Sequence, residues 1–196
     1  MNHISIEGMD GVGKTTICRE LSKRLGYEFI EKPLHFIFDD EGSVSNYRRI
    51  SKKVNENENR NFTAWYYGLN NIYLYEKFKD QNIITDRHIV SNYCWSGSSY
   101  NMDIYNLILK KIGKPTITII LYAKPEAILS RLKGRNAHDP DIKKLDKSEK
   151  AYEKMIYFCE LKKLDYIIVD STGKTVDEVV EEILVRINKK WRILKI

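Results

Sequence analysis

The stretch IEGMDGVGKTT, Ile6 to Thr16, sets glycine at positions 8 and 13 directly before Lys14 and Thr15, the spacing G-x-x-x-x-G-K-[ST]. Those residue types in that order do phosphate chemistry. Gly8, Gly11 and Gly13 are small enough for a turn to bring its backbone N–H groups against the β- and γ-phosphates of a nucleotide. Lys14 adds a point charge, Thr15 offers a hydroxyl to Mg²⁺, and a helix beginning there contributes its positive end. The predicted nucleotide-binding set is Gly8, Asp10, Gly11, Val12, Gly13, Lys14, Thr15 and Thr16. The flanks fit, with the strand-like HISIE before the loop and Ile17, Leu21 and Leu25 at helical spacing after it. A second Gly-Lys-Thr, in STGKTV (171–176), lacks the upstream glycine because position 168 is Ile168, so it is a chance match.

Such a loop leaves open what receives the phosphate. There is no Asn-Lys-x-Asp to read guanine, and the apolar run NIITD (82–86) ends in Asp86-Arg87-His88 rather than the Asp-Glu of many motor ATPases. Neighbouring residues at a strand end point in opposite directions, so Asp86 is placed to face Mg²⁺ and the loop while Arg87 meets a second, anionic ligand. An Asp-Arg pair at a strand end also suits a surface salt bridge. Further on, KPEAILSRLKGRNAHDPDIKK (124–144) reads as a helix opened by Pro125 and Glu126 that runs into a polar segment. Arg131 and Arg135 share one face of it. The segment at about 134–146 is a candidate lid bringing positive charge to a migrating phosphoryl group, although two arginines so spaced also solvate ordinary helices.

The elements that must position these groups alternate. Strand-like runs lie at 3–7, 27–31, 82–86, 116–123 and 165–170, mostly continuous apolar stretches of the kind covered on both faces. Between them run helical patterns. Gly26 is a stop after Leu25; Phe62, Trp65, Leu69, Ile72 and Tyr73 form a stripe; and Thr175 with Glu178 makes a capping box ahead of Val176, Val179, Val180, Ile183, Leu184 and Ile187. The prediction is one α/β domain over 1–196, with a five-stranded, mainly parallel sheet covered by helices on both sides and a ligand outside the strands' carboxyl ends. A loop after the fifth strand, with Thr172, is placed to cover the adenine. The polar SKKVNENENRN (51–61) reads as an exposed helix end and loop.

Composition narrows the setting. Three scattered cysteines, Cys18, Cys94 and Cys159, offer neither a disulfide framework nor a zinc site. No run of eighteen apolar residues occurs and Met-Asn-His leads straight into a strand, so a cytoplasmic protein without a membrane partner is expected. The net charge of +6 suits a polyanion, but the tail RINKKWRILKI (186–196) supplies much of it and also reads as a solvated helix end, so nucleic acid is not predicted.

Taken together these residues resemble the thymidylate kinase family, within the nucleoside monophosphate and deoxynucleoside kinases, over nearly the whole chain. IEGMDGVGKTT is similar to that family's phosphate loop, ITDRH to its Asp-Arg-Tyr/His motif, PEAILSRLKGR to its lid helix, and IVDSTGKTVDEV to its adenine-side strand and last helix. The resemblance implies a P-loop kinase fold and in-line transfer from Mg·ATP to a pyrimidine deoxynucleotide such as dTMP, with ATP and Mg²⁺ as cofactors and a homodimer. It carries catalysis to Lys14, Asp86, Arg87, Arg131 and Arg135, and metal binding to Thr15 and Asp86. It places Asp10 and Arg87 at the acceptor phosphate and Asn92 and Trp95 on the nucleotide. Phe62 either stacks on the base or is a core aromatic. Several positions depart from the family. Tyr66, Tyr67, Asn70 and Asn71 stand where a base-reading arginine is usual, and Glu31-Lys32-Pro33 replaces Arg-Glu-Pro. Asp139-Pro140 replaces an Asp-Arg pair, and Val12 stands for a loop arginine, so catalytic charge must come from Arg131, Arg135 or a lid lysine such as Lys143. Glu31 also keeps open a deoxynucleoside kinase, in which it would be the base for a 5′-hydroxyl. A nucleotide-binding regulator with weakened turnover is the third reading.

Overall fold

The computed structural model describes residues 1–136 and 139–193, with side chains as far as Lys190. Two residues of the expected lid, 137 and 138, and the last three of the basic tail lie outside the described residues. The five strands are β1 (His3–Glu7), β2 (Glu28–Glu31), β3 (Ile83–Asp86), β4 (Ile117–Tyr122) and β5 (Tyr166–Asp170). They form one parallel sheet in the order β2-β3-β1-β4-β5. All five residues of β1 are buried, which explains why the central runs show no polar alternation. β5 departs from the expectation of cover on both faces. At the sheet edge, its Val169 is buried while Ile168 and Asp170 are exposed.

The helices are α1 (Lys14–Leu25), α2 (His35–Phe38), α3 (Ser45–Asn55), α4 (Arg60–Phe78), α5 (Ile89–Ser96), α6 (Met102–Ile112), α7 (Pro125–Arg135), α8 (Ser148–Leu161) and α9 (Val176–Ile193), with 3₁₀ turns at Ser99–Asn101 and Pro140–Lys147. α1 leaves the phosphate loop directly and stops where Gly26 turns left-handed and donates its N–H to Ser22 O. α9 opens on the capping box as read. Thr175 N–H reaches Glu178 Oε2 at 2.7 Å, and Glu178 N–H reaches Thr175 Oγ1 at 3.3 Å. The three cysteines are buried and unpaired. Among the described residues no helix is long and apolar enough to cross a membrane.

α4 corrects the sequence reading. Its apolar stripe does not enter the core, for Phe62, Trp65, Leu69 and Ile72 are all exposed. The buried face carries Thr63, Ala64, Gly68, Asn71, Leu74 and Phe78. Close approach selects the small residues. A Cβ on Gly68 would lie 2.7 Å from Ile108 Cδ1 on α6, so the bulky side chains are left on the outer face.

A buried histidine pair links the start of β1 to the residues after β3. The Nδ1 of His3 lies 2.7 Å from the Tyr75 hydroxyl and its Nε2 2.8 Å from Thr85 Oγ1, while the His88 ring meets it edge-on at 4.7 Å. Burial, and then the neighbouring His88, hold His3 neutral well below the usual histidine range. The folded state therefore refuses a proton that the unfolded chain accepts below about pH 6.5, and stability falls as pH drops beneath that value. The unfolding free energy from urea titrations should decline between pH 7.5 and 5 by up to about 1.4 kcal/mol per pH unit for such a group. His3→Phe should start lower at pH 7.5 and decline less steeply; an unchanged slope would contradict the assignment.

Candidate active site

The phosphate loop links β1 to α1, and two of its glycines are there for different reasons. Gly8, at φ 139°, lies so close to β4 that a Cβ would come within 2.3 Å of Leu121 O. Gly13, at φ 98°, has open space around it, and only its left-handed backbone demands glycine. The loop's arc leaves the Lys14 ammonium inside, donating to Met9 O at 2.7 Å. Burial, and then the charge of Arg87, lower its pKa to about 8. One residue on, Thr15 Oγ1 donates to Asp86 Oδ2 at 2.5 Å, which joins the loop to the end of β3. One hydroxyl and one carboxylate at a single point form a hard-oxygen donor set of the kind that holds Mg²⁺ together with waters and phosphate oxygens. Among the described residues no group of three or more acidic, histidine or cysteine side chains offers a different metal site.

Asp10 is the hub of the site. Its Oδ1 accepts from Arg87 Nη2 at 2.7 Å and lies 4.0 Å from the Lys14 ammonium, and its Oδ2 accepts from Lys144 at 3.2 Å. Burial works against its charge, but Arg87, Lys14 and Lys144 outweigh it and hold the carboxyl well below the usual range. Arg87 stays charged despite burial because Asp10 and Asp86 stand beside it. Its guanidinium faces the glycine loop, though not by simple strand alternation. Arg87 has φ 74° and bonds its N–H to Ile6 O at 2.9 Å, so a left-handed backbone turns the side chain back.

The lid segment supplies a cation that differs from the one anticipated. Lys143 is exposed, and Lys144 is the residue that reaches Asp10, with its ammonium 6.0 Å from the Trp95 ring centre. Arg131 donates to Val12 O at 3.1 Å, Ser171 Oγ at 3.1 Å and Ser171 O at 2.7 Å, so it stitches the phosphate loop to the end of β5. Arg135 is held by Asp139 and Asp141, at 2.9 Å from Asp139 Oδ2 through Nε.

These groups line one cavity of about 1050 Å³. Of the predicted residues, Asp10, Gly11, Val12, Gly13, Lys14, Thr15, Thr16, Glu31, Asp86, Arg87, Asn92, Trp95, Arg131 and Arg135 border it. Gly8, Phe62, Tyr66 and Thr172 do not. Gly8 packs under the loop, and Phe62 is on the outer face of α4. Tyr66 bonds Ser51 at 2.9 Å, and Thr172 accepts the Lys124 N–H at 2.9 Å. On α4 the cavity wall is Arg60, Thr63, Tyr67, Asn70 and Asn71, and Tyr47 and Asn55 of α3 join it. The signal was present as a polar helical face that starts at Arg60 and passes beside Phe62. Asn92 spends its amide on scaffolding, donating to Ala64 O at 3.1 Å and accepting from the Tyr105 hydroxyl at 3.3 Å. Glu31, at the end of β2, is in contact with the Lys32 ammonium.

Comparisons with known proteins point the same way. The family model described as thymidylate kinase matches residues 6–183. A putative adenylate kinase of Thermococcus kodakarensis is 29% identical over 183 residues, spanning 92% of this chain and 82% of that protein. A probable thymidylate kinase of Sulfolobus acidocaldarius is 29% identical over 187 residues, 91% of this chain and 92% of that one. Among solved structures, a thymidylate kinase from Candida albicans superposes with TM-score 0.67 at 20% identity over 96% of this chain and 92% of its own. A deoxyadenosine kinase from M. mycoides does so with TM-score 0.64 at 21% identity over 95% and 99%. At those identities the structures speak for the fold alone.

The two glycines should separate on substitution. Gly13→Ala should fold, losing about 1–2 kcal/mol to the left-handed backbone, and should bind nucleotide poorly. Gly8→Ala should destabilise the whole domain by about 3 kcal/mol or more, because the added methyl meets a backbone carbonyl of the central sheet. Thermal melts with and without ATP measure both effects.

Proposed function

The chain belongs to the thymidylate kinase family and is an ATP-dependent nucleoside monophosphate kinase, and from that premise we propose that its acceptor is a pyrimidine deoxynucleotide, dTMP giving dTDP before any other. The observation that carries the reading is the convergence of Lys14, Arg87 and Lys144 on Asp10, beside the Thr15–Asp86 pair. An ionised acceptor phosphate and the γ-phosphate of ATP repel each other, so bringing them into line calls for positive charge between them. Three cations converging on one carboxylate supply it, with Asp10 as their counter-ion until substrates arrive. In the transfer, an acceptor phosphate oxygen held by Arg87 attacks the γ-phosphorus in line, and the bond to the departing ADP oxygen breaks. Lys14 holds the donor's phosphates. Mg²⁺, held by Thr15 and Asp86, supplies further neutralisation of the phosphate charge when bound.

A second reading, phosphorylation of a nucleoside 5′-hydroxyl with Glu31 as base, has in its favour that Glu31 borders the same cavity. The adjoining Lys32 ammonium counts against it, since it occupies the carboxylate that would have to face the hydroxyl. Because some relatives carry the name adenylate kinase, AMP belongs in any acceptor panel with dTMP, dCMP and thymidine.

We also infer that the enzyme pairs with a second copy through the outer face of α4, where Phe62, Trp65, Leu69 and Ile72 recur turn by turn in solvent. A cytoplasmic setting suits its three unpaired thiols.

ADP release with Mg·ATP should be fastest with dTMP; turnover of thymidine with none of dTMP would replace this reading by the nucleoside kinase. Lys14→Ala and Arg87→Ala should each lower kcat/KM by about 10³-fold or more, and Arg87→Ala chiefly with phosphorylated acceptors. Light scattering should give twice the chain mass for the native protein and the single chain mass for Trp65→Glu/Leu69→Glu. A native monomer would remove the dimer.

A further inference from the structure

Glu7, the last residue of β1, is fully buried, and all four of its hydrogen-bond contacts are donors. Its Oε1 accepts from Ser5 Oγ at 2.6 Å and from His88 N–H at 3.0 Å. Its Oε2 accepts from Ser91 N–H at 3.1 Å and from the Ser91 hydroxyl. His88 is the N-cap of α5 and makes no capping bond with its own side chain, so a carboxylate from the central strand satisfies the helix start. That much is structural.

The Ser91 hydroxyl extends the connection to the site. It has one proton, and that proton goes to Glu7, so toward any other neighbour it can only accept. The neighbour is Arg87, whose Nη1 donates to Ser91 Oγ at 3.1 Å while its Nη2 donates to Asp10 at 2.7 Å. The guanidinium is thus held at two points of different character. Asp10 is an anion and competes with an incoming phosphate for the same cation; Ser91 is neutral and does not. The left-handed backbone at φ 74° turns Arg87 toward the glycine loop, and these two side-chain anchors hold its guanidinium there.

We propose that Glu7 is a positioning residue that, through the Ser91 hydroxyl, fixes the direction in which Arg87 presents its guanidinium to the acceptor phosphate once Asp10 has let go. The relay runs Glu7, Ser91, Arg87. It rests on the reading of Arg87 as the holder of that phosphate.

The test uses the full chain with Mg·ATP and dTMP. Ser91→Ala removes the hydroxyl and keeps both backbone amides on Glu7. It should raise the dTMP KM on the order of tenfold, the effect of one hydrogen bond to a charged group, with the ATP KM unchanged and the melting temperature lowered only by the one lost buried hydrogen bond. Glu7→Gln should raise the dTMP KM comparably or more, and adding Ser91→Ala to it should raise the KM no further, because both act along one path. A Ser91→Ala enzyme with the native dTMP KM overturns the relay, and so do two effects that multiply in the double variant. Arg87→Ala separates the two readings. If it is crippled while Ser91→Ala is normal, the relay alone fails; if it too turns over dTMP normally, the acceptor assignment falls and takes the relay with it.

Discussion

One carboxylate among three cations organises this molecule. Asp10 lies where β1, β3 and the segment after α7 deliver charge to the same point, and each partner alone would be costly to keep there. Lys14 is buried and Arg87 partly so, and a sequestered cation without a counter-ion is destabilising. Asp10, with Asp86 nearby, offsets both, and the half-exposed Lys144 reaches the same carboxylate from the solvent side. The arrangement therefore stores positive potential in a low-dielectric cleft, where it acts more strongly on phosphate than the same charges would on the surface. The parallel sheet makes the convergence possible because all its strands end on one edge. Glu31, Asp86 and the phosphate loop come from three strands yet border one cavity.

Much of this was legible in the residues themselves. A loop flanked by an apolar strand and an amphipathic helix has few alternatives, and the five strands fall within a residue or so of the runs that predicted them. The Thr175–Glu178 box and the Gly26 stop were readable because caps are local, decided by four or five neighbouring residues. What escaped was decided at a distance. The rotation of α4 about its axis is set by how closely α6 approaches Gly68, and a hydrophobic stripe says nothing about that approach. Phe62, a member of that stripe, and Tyr66, named where the family carries an arginine, both miss the groove, which is bordered by Thr63 and Tyr67 instead.

The lid illustrates the same limit at finer scale. Lys143 and Lys144 are equivalent by composition; a 3₁₀ turn puts one outward and the other on Asp10. Arg87 differs again. Its orientation followed from the β-alternation argument in direction and from a left-handed backbone in fact, so the conclusion stood on a geometry the argument did not contain. Glu7 drew no attention in the sequence because an acid beside a glycine has no signature; only its four donors give it meaning.

The eight residues Pro140–Lys147 wind as a 3₁₀ helix, and that choice has a mechanical consequence. Such a helix rises about 2.0 Å per residue against about 1.5 Å for the α form, so a rewinding of eight residues shortens the segment by about 4 Å. Both forms keep their backbone groups bonded along the way. At its 3₁₀ pitch the strap carries the chain from Asp139 to the start of α8 in eight residues, and Lys144, inside that span, meets Asp10.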